Sequence, residues 1–131
     1  MLFRSRVIAV FGCGGDRDQG KREPMGRVAA ELSDFTILTS DNPRTEDPHQ
    51  VLAQIEAGFG DVGPTHYQVI EDRREAIERA LDIARAGDTV VIAGKGHEAY
   101  QEFADTVVPF NDRLVIEEYY EDIGWRWTNC A

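Results

Sequence analysis

Residues 88–94 read DTVVIAG: a charged start, an unbroken apolar run, and a glycine where the run stops. Residues 6–12, RVIAVFG, repeat that form near the beginning of the chain. Apolar runs this short, bounded by glycine, suit strands buried on both faces, which is the environment of a parallel sheet. Between them the pattern alternates. FTILTS (35–40) and THYQVI (65–70) read as further strands. PMGRVAAELSD (24–34) carries Met25, Val28, Ala29 and Leu32 at helical spacing, with Pro24 near the helix start. HQVLAQIEAGF (49–59) carries the stripe Val51, Leu52, Ile55 and Phe59 after an Asp47-Pro48 start signal. Asp72 caps a third helix with Ala76, Ile77, Ala80, Leu81 and Ala84 on its apolar side, and Gly87 marks its end.

AYQEFADTVVPF (99–110) fits an edge hairpin or a strand. NDRLVIEEYYEDIGW (111–125) predicts a last helix, capped by Asn111 or Asp112, with Val115, Ile116, Tyr119 and Tyr120 inward. Alternating strands and helices predict βαβ units. The expected fold is an α/β, Rossmann-like three-layer αβα domain, its mostly parallel sheet having about five or six strands. Helices should cover both faces.

The bulk numbers agree with one domain spanning residues 1–131. Hydrophobic residues make up 42% and charged residues 29%, ordinary values that leave enough core to fold without staples. No apolar run reaches the roughly 18 residues of a membrane span. The opening MLFRSRVIAVFGCGG is too short in its apolar part for a signal peptide, and MLFRS reads as a leader or the stub of a longer chain. Cys13 and Cys130 form neither a disulfide framework nor a metal spacing, so a reducing, cytoplasmic setting is expected. The net charge of −10 disfavours nucleic-acid partners. Arg17, Lys21, Arg22 and Arg27 nevertheless make one basic corner, which fits either an anion or a solvated helix face.

In open α/β sheets ligands bind beyond the carboxyl ends of the strands. Three unusual segments fall there: GCGGDRDQGKR (12–22), DNPR (41–44) and GKGHE (94–98). Gly12, Gly14 and Gly15 could let backbone N–H groups approach a ligand, or could serve a tight turn. The spacing is that of neither a dinucleotide fingerprint nor a P-loop. Arg44 offers a fork for a carboxylate, and Asp41 and Glu98 offer acceptors for an ammonium. Asn42 can do either job and Pro43 fixes the turn. That set suits a small zwitterion. The plainer alternative pairs Arg44 with Asp41 or Glu46 on the surface.

FGCGGDRDQGKR, TSDNPRTEDP, AGKGHEAYQ and FNDR, in this order, resemble the C-terminal domain of the Mur ligases, in the UDP-N-acetylmuramoyl-tripeptide synthetase branch. The resemblance covers about residues 6–120. It implies an ATP-dependent acid–amino-acid ligase of peptidoglycan synthesis that adds meso-diaminopimelate to UDP-N-acetylmuramoyl-dipeptide through an acyl phosphate. It implies that Arg17, Asp41, Asn42, Pro43, Arg44, Gly94 and Glu98 contact the amino acid. Asp16, Phe110 and Asp112 resemble positions that face the nucleotide when domains close. No catalytic residue and no metal ligand is carried over. ATP and Mg2+ are expected in the full-length enzyme, bound mainly by a central ATPase domain. That domain and a UDP-sugar domain are not in these 131 residues, so this domain alone is expected to be inactive and to hold no cofactor. The start at Met1 fits a domain boundary, whereas the end, YEDIGWRWTNCA, departs from the family's usual terminus. The competing expectation is a stand-alone, non-catalytic module that binds an amino acid or docks to a separate ligase.

Overall fold

The structure, a computed structural model, describes residues 5–63 and 65–124. Strands β1 (Val7–Phe11), β2 (Phe35–Leu38), β3 (Tyr67–Val69) and β4 (Thr89–Ile92) form one parallel sheet in the order β3-β2-β1-β4. Register is continuous, with Val10 opposite both Ile37 and Ile92. The six strands do not share one sheet. Tyr100–Glu102 (β5) and Val107–Pro109 (β6) pair antiparallel as a separate hairpin, closed by Phe103 N–H donating to the Thr106 carbonyl at 2.8 Å. The sheet is therefore narrower than the five or six strands expected. The physical reason is the hairpin's short connection, since a parallel crossover needs a dozen or more residues.

Helices α1 (Arg22–Leu32) and α2 (Pro48–Glu56) lie on one face, and α3 (Arg73–Ile83) and α4 (Asp112–Asp122) on the other. Side chains alternate across the pleat. Ile8, Val10 and Ile37 pack with Ala76, Ile77, Ala80 and Val115 of α3 and α4. Phe11 and Leu38 point the other way, to Val51, Leu52, Ile55 and Phe59. The caps fall where the sequence puts them. Asp47, Asp72 and Asn111 accept from the backbone N–H groups of His49, Glu75 and Leu114. These bonds satisfy donors that a helix start leaves free.

Helix α1 departs from its pattern. Val28 is 53% and Leu32 76% exposed, and the residues it buries are Arg22 and Gly26. A Cβ on Gly26 would sit 2.0 Å from the Ile55 carbonyl oxygen, and one on Gly58 2.2 Å from that of Glu23. The helix thus meets α2 and the 3₁₀ turn Ala57–Phe59 backbone to backbone, along its glycine side. Of the apolar stripe, Met25 and Ala29 still pack against the α2-side core, whereas Val28 and Leu32 are turned outward.

Candidate functional site

The strand order places β1 and β4 side by side: the chain runs from β1 to β2 and β3 on one side, then returns past both to add β4 on the other side of β1. The crevice at such a reversal is where α/β sheets hold ligands. The segments after β1, β2 and β4 meet there. Gly15 N–H donates to the Asn42 carbonyl at 2.7 Å. A Cβ on Gly15 would lie 1.7 Å from the Pro43 carbonyl oxygen, and one on Gly12 1.9 Å from that of Thr39. These two glycines let one loop's backbone lie against another's.

Arg44 has φ +54° and Asp16 φ +57°, the left-handed region that costs a non-glycine residue about 1–2 kcal/mol. The bonds around them hold those shapes. Arg44 N–H donates to the Glu102 carbonyl at 3.2 Å, and Glu46 N–H to that of Pro43 at 3.1 Å. The Asp16 carboxylate accepts from the Thr45 hydroxyl at 2.7 Å and from its N–H at 3.2 Å. Those bonds hold the Asp16 carboxyl below the usual carboxylate range.

Two buried cations organise the rim. The Arg22 guanidinium, fully buried, donates to both Glu46 oxygens, to Gln54 Oε1 and to the Gly14 carbonyl, all within 2.9 Å. Glu46 in turn accepts the Asp16 N–H at 2.7 Å. With the Arg22 guanidinium as the main cause, the Glu46 pKa is held at about 2. Lys95, also buried, donates from Nζ to Asn42 Oδ1 at 2.8 Å and to the Tyr100 carbonyl at 2.9 Å. Its Nζ lies 3.3 Å from Asp41 Oδ1 and 3.4 Å from Glu98 Oε1. Asp41 Oδ1 accepts no hydrogen bond among the described residues, so proximity to that ammonium is what compensates its burial. Asn42 Oδ1 takes a second donor, the Glu102 N–H at 2.9 Å, and this fixes the amide so that Nδ2 donates to Glu98 at 3.3 Å.

Arg44 completes the array. Its Nε donates to Glu102 Oε2 at 2.7 Å and its Nη1 to the Gly15 carbonyl at 2.9 Å. The alternative partners Asp41 and Glu46 are occupied by Lys95 and Arg22. Arg44 and Glu98 share a side of the molecule, since Asn42 touches Glu98 and the backbone of Glu102. The Glu98 side chain is 41% exposed, leaving it open to a visitor.

A family model described as "Mur ligase, glutamate ligase domain" matches residues 1–96. The chain belongs to the Mur ligase C-terminal domain family. It is 56% identical over 117 residues to the UDP-N-acetylmuramoyl-L-alanyl-D-glutamate–2,6-diaminopimelate ligase of Syntrophomonas wolfei, covering 89% of this chain and 24% of that one. It is 60% identical over 116 residues to the ligase of the same name from Gloeobacter violaceus, covering 88% and 23%. A solved structure of a ligase so named superposes with a TM-score of 0.86 at 46% identity, covering 94% of this chain and 25% of that one. The chain spans about a quarter of the length of these relatives.

In this Mur ligase domain the residues singled out from the sequence divide into groups. Asp41, Asn42, Pro43, Arg44, Gly94 and Glu98 stand together on the rim, where a Cβ placed on Gly94 would lie 3.4 Å from Asp41 Oδ2. Arg17 is exposed beside them and bonds the carbonyl of Asp16. Asp112 is buried rather than presented, its two oxygens accepting from Arg73 Nε at 2.8 Å and Nη2 at 2.9 Å. Phe110 packs against the core shared by α3 and α4, and its N–H donates to the Ala99 carbonyl. Cys13 is buried with its thiol against Met25 Sδ at 3.7 Å, and burial pushes its pKa up, away from a nucleophilic thiolate.

Sequence reasoning missed Lys95, Arg73, Gln101 and Glu102, and it placed Arg22 in a basic corner open to an anion or solvent, whereas the fold buries it against Glu46. Gln101 donates to the Asp41 carbonyl at 2.8 Å, clasping the Asp41–Arg44 segment from the hairpin. A lysine between two glycines was the one local signal. Apart from the Gly14 carbonyl, 8 residues from Arg22, the partners of the others lie 20 to 61 residues away in the chain, beyond any motif's reach. Among the described residues, no group of three or more His, Cys, Asp or Glu is placed to hold a metal ion. No described helix is long and apolar enough to cross a membrane.

Proposed function

We propose that this chain is the amino-acid-binding unit of a cytoplasmic, ATP-dependent ligase that joins meso-diaminopimelate to UDP-N-acetylmuramoyl-dipeptide in peptidoglycan synthesis. The observation that carries the reading is the paired array at the rim. Arg44 is held in a left-handed conformation with its Nη2 free of partners among the described residues, and Glu98 stands across Asn42 from it. Arg44 takes the distal carboxylate of the amino acid and Glu98 its distal ammonium. Gly94 keeps the floor of the site clear and Arg17 borders it. Asp16, Phe110 and Asp112 belong to the nucleotide-facing side, Asp112 through the loop it anchors.

ATP, with Mg2+, supplies the phosphate that activates the acceptor carboxyl, and the groups that hold both belong mainly to the rest of the full-length enzyme. What this domain contributes is orientation: it turns the attack of an amine into a reaction between partners already held. The relatives it resembles are named as diaminopimelate ligases, which supports the choice of amino acid.

The test is Arg44→Ala in the full-length ligase. Its apparent binding of diaminopimelate should weaken by about 1.5–3 kcal/mol, the worth of a charged hydrogen bond. Discrimination against lysine, which lacks the distal carboxylate, should relax in the same variant. An unchanged Michaelis constant for diaminopimelate would end this assignment.

A further inference from the structure

Glu102 lies outside every motif that suggested the site, yet it is bonded to the recognition loop at three points. Its carbonyl accepts the Arg44 N–H, its N–H donates to Asn42 Oδ1, and its Oε2 accepts Arg44 Nε at 2.7 Å. The side chains of Arg44 and Glu102 are 21% and 31% exposed, so the pair is reachable by solvent. A guanidinium is a rigid planar fork. Holding its Nε edge with Glu102 and Nη1 with the Gly15 carbonyl fixes the plane, and the Nη2 end is what remains for a guest. A Cβ on Gly14 would fall 2.9 Å from Nη1, so the neighbouring loop also limits where the group can swing.

We propose that Glu102 is a positioning residue for the specificity of this site. Resting on the proposed reading of the site, it acts through Arg44, aiming the free end of the guanidinium at the distal carboxylate of the incoming amino acid. Its negative charge also cancels that of Arg44 in the empty state. Selection then depends on a fitted hydrogen-bonding geometry more than on a bare positive charge that any anion would satisfy.

The experiment compares Glu102→Gln and Glu102→Leu with Arg44→Ala in the full-length ligase. Glu102→Leu removes the acceptor, and the Michaelis constant for diaminopimelate should rise about tenfold, below the full loss of a charged bond. The constant for ATP and the turnover number at saturation should stay within about twofold, because Arg44 binds without reacting. The preference for diaminopimelate over lysine should fall in step. Glu102→Gln keeps an acceptor oxygen and should recover most of the loss.

A merely structural role would lower the melting temperature and turnover together and leave the preference untouched, and that result overturns the inference. So does a lowered or unchanged Michaelis constant in Glu102→Leu while Arg44→Ala raises it, since Glu102 would then compete with the ligand or be idle. If Arg44→Ala also changes nothing, the reading of the site itself fails and takes this inference with it.

Discussion

The two faces of the sheet are closed by different physics. On the α3/α4 face, side chains do the work: Ile8, Val10, Ile37, Ala76, Ile77, Ala80 and Val115 are all at most 1% exposed. On the α1/α2 face, Phe11, Leu38, Val51, Leu52, Ile55 and Phe59 also form a buried cluster, but α1 joins it backbone to backbone at Gly26 and Gly58, and Val28, Leu32 and Val91 are left in the open. Each face also sends one fully buried arginine toward the rim. Arg73 ties the ends of β2 and β4 to α4 through the Ser40 and Ala93 carbonyls and Asp112. Arg22 ties the glycine loop to the segment after β2 through the Gly14 carbonyl and Glu46. Where apolar periodicity builds a face, a pattern survives substitution by similar residues. Where glycines and a buried charge build it, single atoms matter.

That contrast can be broken most sharply at Arg73. Arg73→Met leaves Asp112 buried without its counter-charge, and chemical denaturation should show a loss of about 3–5 kcal/mol. The double change Arg73→Met, Asp112→Leu should recover much of it, because the cost lies in the orphaned charge.

Gly26→Ala tests the glycine-closed face. Its Cβ would meet the Ile55 carbonyl oxygen at 2.0 Å, so α1 must lift from α2. The expected cost is about 1–3 kcal/mol by denaturation, against about 1 kcal/mol for the reverse change Ala80→Gly on the other face.

Acid sharpens the difference at Glu46. Its folded pKa is about 2, below the ordinary 4.5, so the contribution of the pair with Arg22 is fully present above 4.5. It is lost as pH falls from there toward 2. Melting temperature followed against pH should drop across that window, and Glu46→Gln should flatten the drop.

The smallest effect belongs to Val28→Ser. The residue is 53% exposed despite its place in a helical stripe, and the change should stay within about 0.5 kcal/mol. A loss above about 1.5 kcal/mol would mean that this face of α1 is covered in the folded chain.

The segment Asp41–Arg44 shows how far local reading goes. Asp41, Asn42, Pro43 and Arg44 are visible in the sequence because their combination is too rich for a turn. Their working partners are not visible, because Lys95, Gln101 and Glu102 reach them across more than fifty residues. Gly12 and Gly15 are equally instructive. From the sequence they suggest an anion nest, and in the fold they are the spaces that the chain at Thr39 and Pro43 occupies. Asp112 could be read as a cap or as a ligand-facing group, and its burial against Arg73 follows from where α3 and α4 meet.

By itself the sequence determined the alternation of strands and helices, their caps, the parallel character of the sheet and the rim on which chemistry would gather. Those features rest on periodicity, capping chemistry and strand polarity, which act between near neighbours. The tertiary structure alone decided which charges pair, why Val28 and Leu32 of α1 are left exposed, and that the fork of Arg44 is held by Glu102. Coulombic attraction and close packing depend on distance in space, and the fold brings those groups together from distant parts of the chain.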